Sequence, residues 1–277
     1  MISDLATNFL NEIKVYDCEF SKIRIGNNCD GGYVAVHEIA NECSTLISFG
    51  VEDNVTFEID WVNKYPNTSV ELFDHTVNSL PLSHENFTFT KKGVAAKSFG
   101  DFLSLSSILE SYNSGITMKM DIEWDEWEVI KSVSPGLLSS VDQILIEFHF
   151  AFIDVEKKFI PNQQDEHKLT PYFCNFYKTI YNKINEELCR KYYEILSFLN
   201  SKFYAVHIHP NNSLKKINIG GCEIPPLIEM TYVRKDLIED AKETNQKFPI
   251  VGLDYPNKPY KKELGNYYPL IRKTNVE

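Results

Sequence analysis

Apolar positions along the chain change period several times, and the changes predict its elements. Near the start, Leu5, Phe9, Leu10 and Ile13 recur at helical spacing behind Asp4, which predicts a capped amphipathic helix. The stretch Arg24-Ile25-Gly26-Asn27-Asn28-Cys29-Asp30-Gly31-Gly32-Tyr33-Val34-Ala35-Val36 reads as a glycine-rich turn feeding a short strand. Short apolar runs then alternate with helical patterns. Thr45 to Phe49, Val70 to Phe73, Phe87 to Phe89 with Val94, Thr117 to Ile122 and Ile144 to Phe148 read as strands. Asn54 to Asn63, Asp101 to Tyr112 and Glu126 to Val133 read as helices between them. The second of these carries Phe102, Leu105, Ile108 and Leu109 on one side.

Strands separated by helices imply right-handed crossovers and a mostly parallel α/β sheet with helices on both faces. The second half changes character. Ala151 to Pro171 is polar and proline-bounded, and Phe176, Ile180, Ile184, Leu188 and Leu196 then fall at multiples of four along a helix from Asn175 to Asn200. Phe203 to His209 and Leu227 to Val233 read as a β-hairpin connected through Pro210-Asn211-Asn212 and a Gly220-Gly221 turn. This adds one antiparallel strand at the sheet edge. The tail after Asp240, rich in Pro, Tyr and Lys, reads as a loose wrap, and no internal repeat is visible.

Composition narrows the partners. The 28 basic and 39 acidic side chains leave a net charge of −11, which counts against a phosphate-tracking nucleic-acid surface. No secretory signal or long apolar span is visible, so a cytoplasmic protein without a membrane segment is expected. The six cysteines are scattered without C-x-x-C spacing, as expected of reduced thiols rather than a zinc ribbon or a disulfide framework.

Ligands of such sheets collect at the carboxyl ends of the strands, which selects the residues that carry chemistry. The first strand ends at Gly50, followed by Val51, Glu52 and Asp53. A glycine there lets backbone approach a ligand, but the G-x-G-x-x-G of dinucleotide sites is missing. The second strand ends in Asp74, placed to accept the ribose hydroxyls of an adenosine; a turn glycine followed by a capping aspartate explains the pair equally well. Alternation along the fourth strand puts Asp121 and Glu123 on one face, where two carboxylates can meet a cation, a metal or a proton. The fifth strand ends Glu147-Phe148-His149, and the next His207-Ile208-His209 with Asn211 beyond. His149 or Glu147 is then a candidate general base, and Asp121, Glu147 and His149 are candidate ligands of a divalent metal. A histidine on an apolar strand is otherwise a satisfied core group, most of all His207.

Four pieces, in this order and spacing, resemble the FkbM-type methyltransferases and their eukaryotic methyltransferase-like relatives. They are Arg24 with Asp30-Gly31-Gly32-Tyr33-Val34, Ser48-Phe49-Gly50-Val51 with Phe57-Glu58, Asp121-Ile122-Glu123 with Glu126-Trp127-Glu128-Val129-Ile130, and Ile146-Glu147-Phe148-His149. The likeness covers about residues 20 to 150, and Glu223 to Lys235 more loosely. It implies a Rossmann-like class I methyltransferase sheet and S-adenosyl-L-methionine as cofactor. By resemblance Gly50, Glu52 or Asp53, and Asp74 hold that cofactor, and Asp121 lies beside its methionine portion; Asp30-Gly31-Gly32-Tyr33, read from its own residues, either caps the cofactor pocket or is simply a turn. Trp124 stands where the family usually has glycine, so the acceptor site is reshaped.

The chain is therefore expected to be one methyltransferase domain. Residues 1–44 form a cap, 45–150 the cofactor-binding half, 151–202 a helical lid insertion and 203–277 a hairpin with its tail. The expected reaction is O-methylation of a sugar or another small polar, phosphorylated or nucleotide-linked metabolite, with Arg24, Trp124, His207, His209 and Asn211 on the acceptor. A homodimer is an open option for self-association. A nicotinamide-dependent oxidoreductase and a non-catalytic binding module are the competing readings.

Overall fold

A computed structural model of the chain describes residues 2–152, 171–219 and 222–265. The chain opens with α1 (Ile2–Glu12), the antiparallel pair β1 (Lys22–Ile25) and β2 (Tyr33–Val36), and the short α2 (His37–Asn41). Next come β3 (Thr45–Phe49), α3 (Thr56–Lys64), β4 (Ser69–Phe73), β5 (Phe87–Thr90), β6 (Gly93–Ala95), β7 (Phe102–Ser104) and α4 (Leu105–Leu109). The rest is β8 (Ile116–Met120), α5 (Glu126–Ser132), β9 (Val141–His149), α6 (Pro171–Lys202), β10 (Phe203–Pro210), β11 (Ile217–Ile219), β12 (Cys222–Ile224) and β13 (Leu227–Arg234).

The central sheet has seven strands in the order β10-β13-β9-β8-β3-β4-β5. Strands β5, β4, β3, β8 and β9 run parallel, and β13 is antiparallel to both β9 and β10. The expected antiparallel strand is therefore present, but one place in from the edge. Its hairpin partner β10 takes the edge, with β13 paired between β9 and β10. Strand order reverses between β3 and β8, so a crevice opens above their carboxyl ends.

Alternation along the strands divides the core. Ile47, Phe49, Met118, Met120, Ile144 and Ile146 face one side, with α1, α4, α5 and α6. Leu46, Val70, Leu72 and Leu145 face the other, with α3 and the β1–β2 pair. The second half of α6 belongs to the first of these layers: Cys189, Tyr192, Ile195, Leu196 and Leu199 are buried there. Its apolar stripe meets α1 and α5. The preceding loop, the side chains of Phe176 and Ile180, and the Gly220-Gly221 turn lie outside the described residues.

Two helix assignments shift. The helix expected from Asp101 begins only at Leu105, because Phe102–Ser104 pairs with Gly93–Ala95 and Ser104 caps the turn, accepting from Ser107 N at 3.1 Å. The helix expected from Asn54 begins at Thr56, with Asn54 Oδ1 accepting from Thr56 N at 3.1 Å. The described part of the tail is tied down rather than loose: Thr244 N donates to the Val15 carbonyl and Phe248 is buried. No helix among the described residues is long and apolar enough to cross a membrane.

Candidate functional site

The floor of the crevice is the turn from β3 into α3. Gly50 has φ +73°, and a Cβ there would lie 1.7 Å from the Asp121 carbonyl oxygen. The glycine is thus required by the neighbouring strand end, whether or not a ligand approaches it. Asp74, 4% exposed, clamps the same turn. Its Oδ2 accepts from Val51 N at 3.0 Å and Glu52 N at 2.8 Å, and its Oδ1 accepts from Thr76 N and Thr76 Oγ1, both at 2.6 Å. Burial works against the charge, yet the donors from Thr76, Glu52 and Val51 hold this carboxyl below its ordinary range. Four donors occupy the two carboxylate oxygens, so Asp74 clamps the turn rather than capping a helix.

Asp74→Ala is therefore expected to cost about 2 kcal/mol of stability near neutral pH, since bonds to a charged acceptor are being removed. A folded-state pKa below the unfolded value contributes stability above the unfolded Asp range that is lost as pH falls through the depressed value. Urea denaturation at neutral and acid pH checks this, and the deficit must shrink on acidification.

Beside the turn, Tyr33 donates its hydroxyl to Asp121 Oδ2 at 2.8 Å. Lys119 lies beneath, 3.7 Å from the buried Glu58 and 5.4 Å from the centre of the Tyr33 ring, and donates to the Gly50 carbonyl at 3.3 Å. A lysine within an otherwise apolar strand was the sequence signal for this buried pair, and it went unused.

Strand β8 stops at Met120, so the same-face argument for Asp121 and Glu123 gives way to a turn. Glu123 has φ +51° and Trp124 φ +85°, left-handed values that cost a bulky residue about 1–3 kcal/mol each. Trp124 holds this left-handed backbone shape while its ring stands 5.4 Å from that of His149, and the residue is 44% exposed. The turn also brings Glu123 Oε2 to 3.3 Å from His149 Nε2.

Behind His149 stands Glu126, fully buried at the start of α5. Its Oε1 lies 3.0 Å from His149 Nδ1 and also accepts from Ile122 N at 3.1 Å. The carboxylate makes Nδ1 the donor, which turns Nε2 toward the cleft. Burial opposes the imidazolium, but the hydrogen bond and charge of Glu126, with Asp121 and Glu123 behind them, raise the His149 pKa above its ordinary value. Sequence reading passed over Glu126 because a glutamate in a first helical turn is an ordinary helix-dipole residue.

On the far side, Glu147 at the tip of β9 accepts from Asn211 Nδ2 at 2.8 Å. Glu229 lies opposite it in register on β13. Glu229 accepts from Asn257 Nδ2 at 2.6 Å and sits 3.2 Å from His209 Nδ1. Burial works against the His209 charge, but Glu229 and Glu263 push its pKa up to about 10. His209 is thus a buried cation committed to two carboxylates, and does not line the cleft. His207 belongs to the core, 2.7 Å from Asp254 and held below its ordinary pKa by burial. Arg24 also turns inward, donating to the carbonyls of Asn27, Cys29 and Leu253. It buttresses the glycine turn, where a Cβ on Gly32 would meet the Asn27 oxygen at 2.0 Å. Arg24, Gly32, His207 and His209 therefore support the site from behind.

The open space has two lobes. A narrow one of about 110 Å³, between Phe73, His75, Val94, Phe102 and Ile122, is mostly apolar. A wider one of about 510 Å³ is lined by Asp30, Asp53, Glu147, His149 and Asn211 among others. Gly50, Glu52, Asp121 and Glu123 border both, so one elongated ligand can span them. Asp121, Glu123 and His149 each offer a ligand atom within 4.8 Å of the others. This set differs from the expected metal trio in taking Glu123 in place of Glu147, which faces Asn211 instead.

No family model matches the chain, and no curated protein does. Solved structures overlap it only shallowly. The Methanococcus jannaschii fibrillarin pre-rRNA processing protein shares 13% identity over 78% of this chain and 83% of its own, with a TM-score of 0.36. An O-methyltransferase named as putative, from Nostoc punctiforme, shares 8% over 70% and 52%, with a TM-score of 0.32. Human N-acetylserotonin methyltransferase, solved with its S-adenosylmethionine, shares 12% over 69% and 47%, with a TM-score of 0.27. Likeness at these scores carries no argument about activity. The fold class rests on the sheet itself, whose seven mostly parallel strands, with one antiparallel strand set inside the edge, form a Rossmann-like α/β arrangement.

Proposed function

We propose that this chain transfers a methyl group from S-adenosyl-L-methionine to a hydroxyl of a small polar molecule such as a sugar, in the manner of the FkbM-type enzymes it resembles. The observation that carries this reading is the two-lobed cleft at the β3–β8 switch point, with the Glu126–His149 pair opening into its wider lobe. The narrow apolar lobe suits an adenine. The carboxylates Glu52, Asp121 and Glu123 at the junction suit a ligand that carries positive charge on a sulfonium and an ammonium. When bound, the cofactor supplies an electrophilic methyl group.

The chain's own residues supply the rest. Asp74 holds the β3–α3 turn so that its backbone forms the floor. Tyr33 orients Asp121 toward the junction. His149 Nε2 accepts the hydroxyl proton as the acceptor oxygen attacks, and Glu126 stabilises the imidazolium that results. Trp124 covers the imidazole and limits water around it.

Calorimetric titration with S-adenosylhomocysteine tests the cofactor half. One equivalent is expected to bind folded protein, and Asp121→Asn is expected to weaken it by about tenfold, the loss of one charged contact. A folded protein giving no heat with either S-adenosylhomocysteine or S-adenosyl-L-methionine ends the proposal.

A further inference from the structure

Glu147 is 5% exposed, yet its carboxyl forms part of the wall of the wider lobe. Among the described residues only Asn211 donates to it, at Oε1. Asn211 is a neutral amide and leaves a carboxylate charge uncompensated. The ionisable neighbours are acidic: Asp121 from the end of β8, Glu229 from β13 and Asp30 from the turn before β2, with Tyr33 close by. The basic groups nearby are committed elsewhere, His149 to Glu126 and Glu123, His209 to Glu229 and Glu263, Lys258 to Asp30, and Lys119 to Glu58. Burial first, then Asp121 and Glu229, hold the Glu147 carboxyl well above the usual carboxylate range.

We propose that Glu147 is the recognition point for a protonated amine, so the methyl acceptor carries an ammonium group beside its reacting hydroxyl. A cation here offsets the like-charge repulsion among Glu147, Asp121 and Glu229. Carboxylates outnumber the basic groups Lys119, His149 and Lys258 along this lobe, which disfavours a phosphorylated or nucleotide-linked acceptor. Naming the occupant as acceptor rests on the methyl-transfer reading; the cation site rests on the cleft alone.

Ethanolamine, a minimal molecule with both groups, serves as the probe, with ethylene glycol and ethyl phosphate as uncharged and anionic counterparts. Each is titrated into the full chain near neutral pH, free and saturated with S-adenosylhomocysteine. Ethanolamine is expected to bind in both states, the counterparts at least about tenfold more weakly, and Glu147→Gln to weaken the amine by at least about tenfold. Glutamine keeps the shape of a neutral carboxyl, and a thermal melt verifies folding of the variant. Should that variant not fold, the contrast between ethanolamine and its uncharged and anionic counterparts on the native chain decides the matter. Absence of ethanolamine binding, equal binding by Glu147→Gln, or comparable binding of a counterpart overturns the proposal. So does loss of amine binding on saturation, which gives the cation point to the cofactor's own amino-acid tail. Binding of S-adenosylhomocysteine in the same samples reports separately on the cofactor reading; if it is absent, the amine result in the free protein stands or falls by itself.

Discussion

On the proposed reading, His149→Gln is expected to lower the rate of methyl transfer by about 10²–10⁴-fold while S-adenosylhomocysteine still binds with native affinity. Glutamine fills the same space and keeps a polar group near Glu126, but has no nitrogen able to take the acceptor proton. Single-turnover rates paired with calorimetry separate the two quantities, and parallel losses of rate and affinity would reduce His149 to a structural role. The pH profile gives a second handle. His149 works as a base when neutral, so the rate rises with pH through its pKa. Burial lowers that pKa, but Glu126 more than reverses the effect and places the midpoint above the ordinary histidine value. Glu126→Gln removes the negative charge that favours the imidazolium, so the rising limb must move to lower pH as the maximal rate falls. A limb that stays put would detach Glu126 from the chemistry.

Gly50→Ala is the second large expected effect, on stability rather than on the chemical step. An added methyl group meets the Asp121 carbonyl oxygen at 1.7 Å, and the residue must also keep φ +73°. Neither the β8 end nor the β3–α3 turn can withdraw, because Asp121 N is bonded to the Phe49 carbonyl and Gly50 N to that of Phe73. A loss of at least about 3 kcal/mol follows from the clash and the strained backbone together, with S-adenosylhomocysteine binding abolished. Gly136→Ala is the matched control, since a Cβ there has nothing within 4 Å, and it should stay within about 0.5 kcal/mol of the native chain. Guanidinium unfolding of the two variants decides the matter, and equal stabilities would refute the role given to Gly50.

The candidate site was legible where local pattern suffices. Gly50, Asp74, Asp121 and His149 follow strands whose apolar runs announce them, and ligands gather at such strand ends. Roles were less legible than positions. The clamp by Asp74 was not legible because nothing local to it reveals that Val51 and Glu52, more than twenty positions earlier, supply two of its four donors. Glu126 looked like a helix-start carboxylate until the turn at Glu123 and Trp124 folded it beneath His149. His207 and His209, alternating on one strand, read as neighbours in one cavity, yet each is claimed by residues of the tail, Asp254 and Glu263.

By itself, then, the order of residues determined the α/β class, the parallel strands and the list of side chains near their ends, because these follow from short-range periodicity and chain connectivity. Tertiary structure alone decided which carboxylate is clamped, which imidazole opens to the cleft and where β13 inserts. Those outcomes depend on donors and charges that are distant in sequence, and meet only once the sheet has assembled.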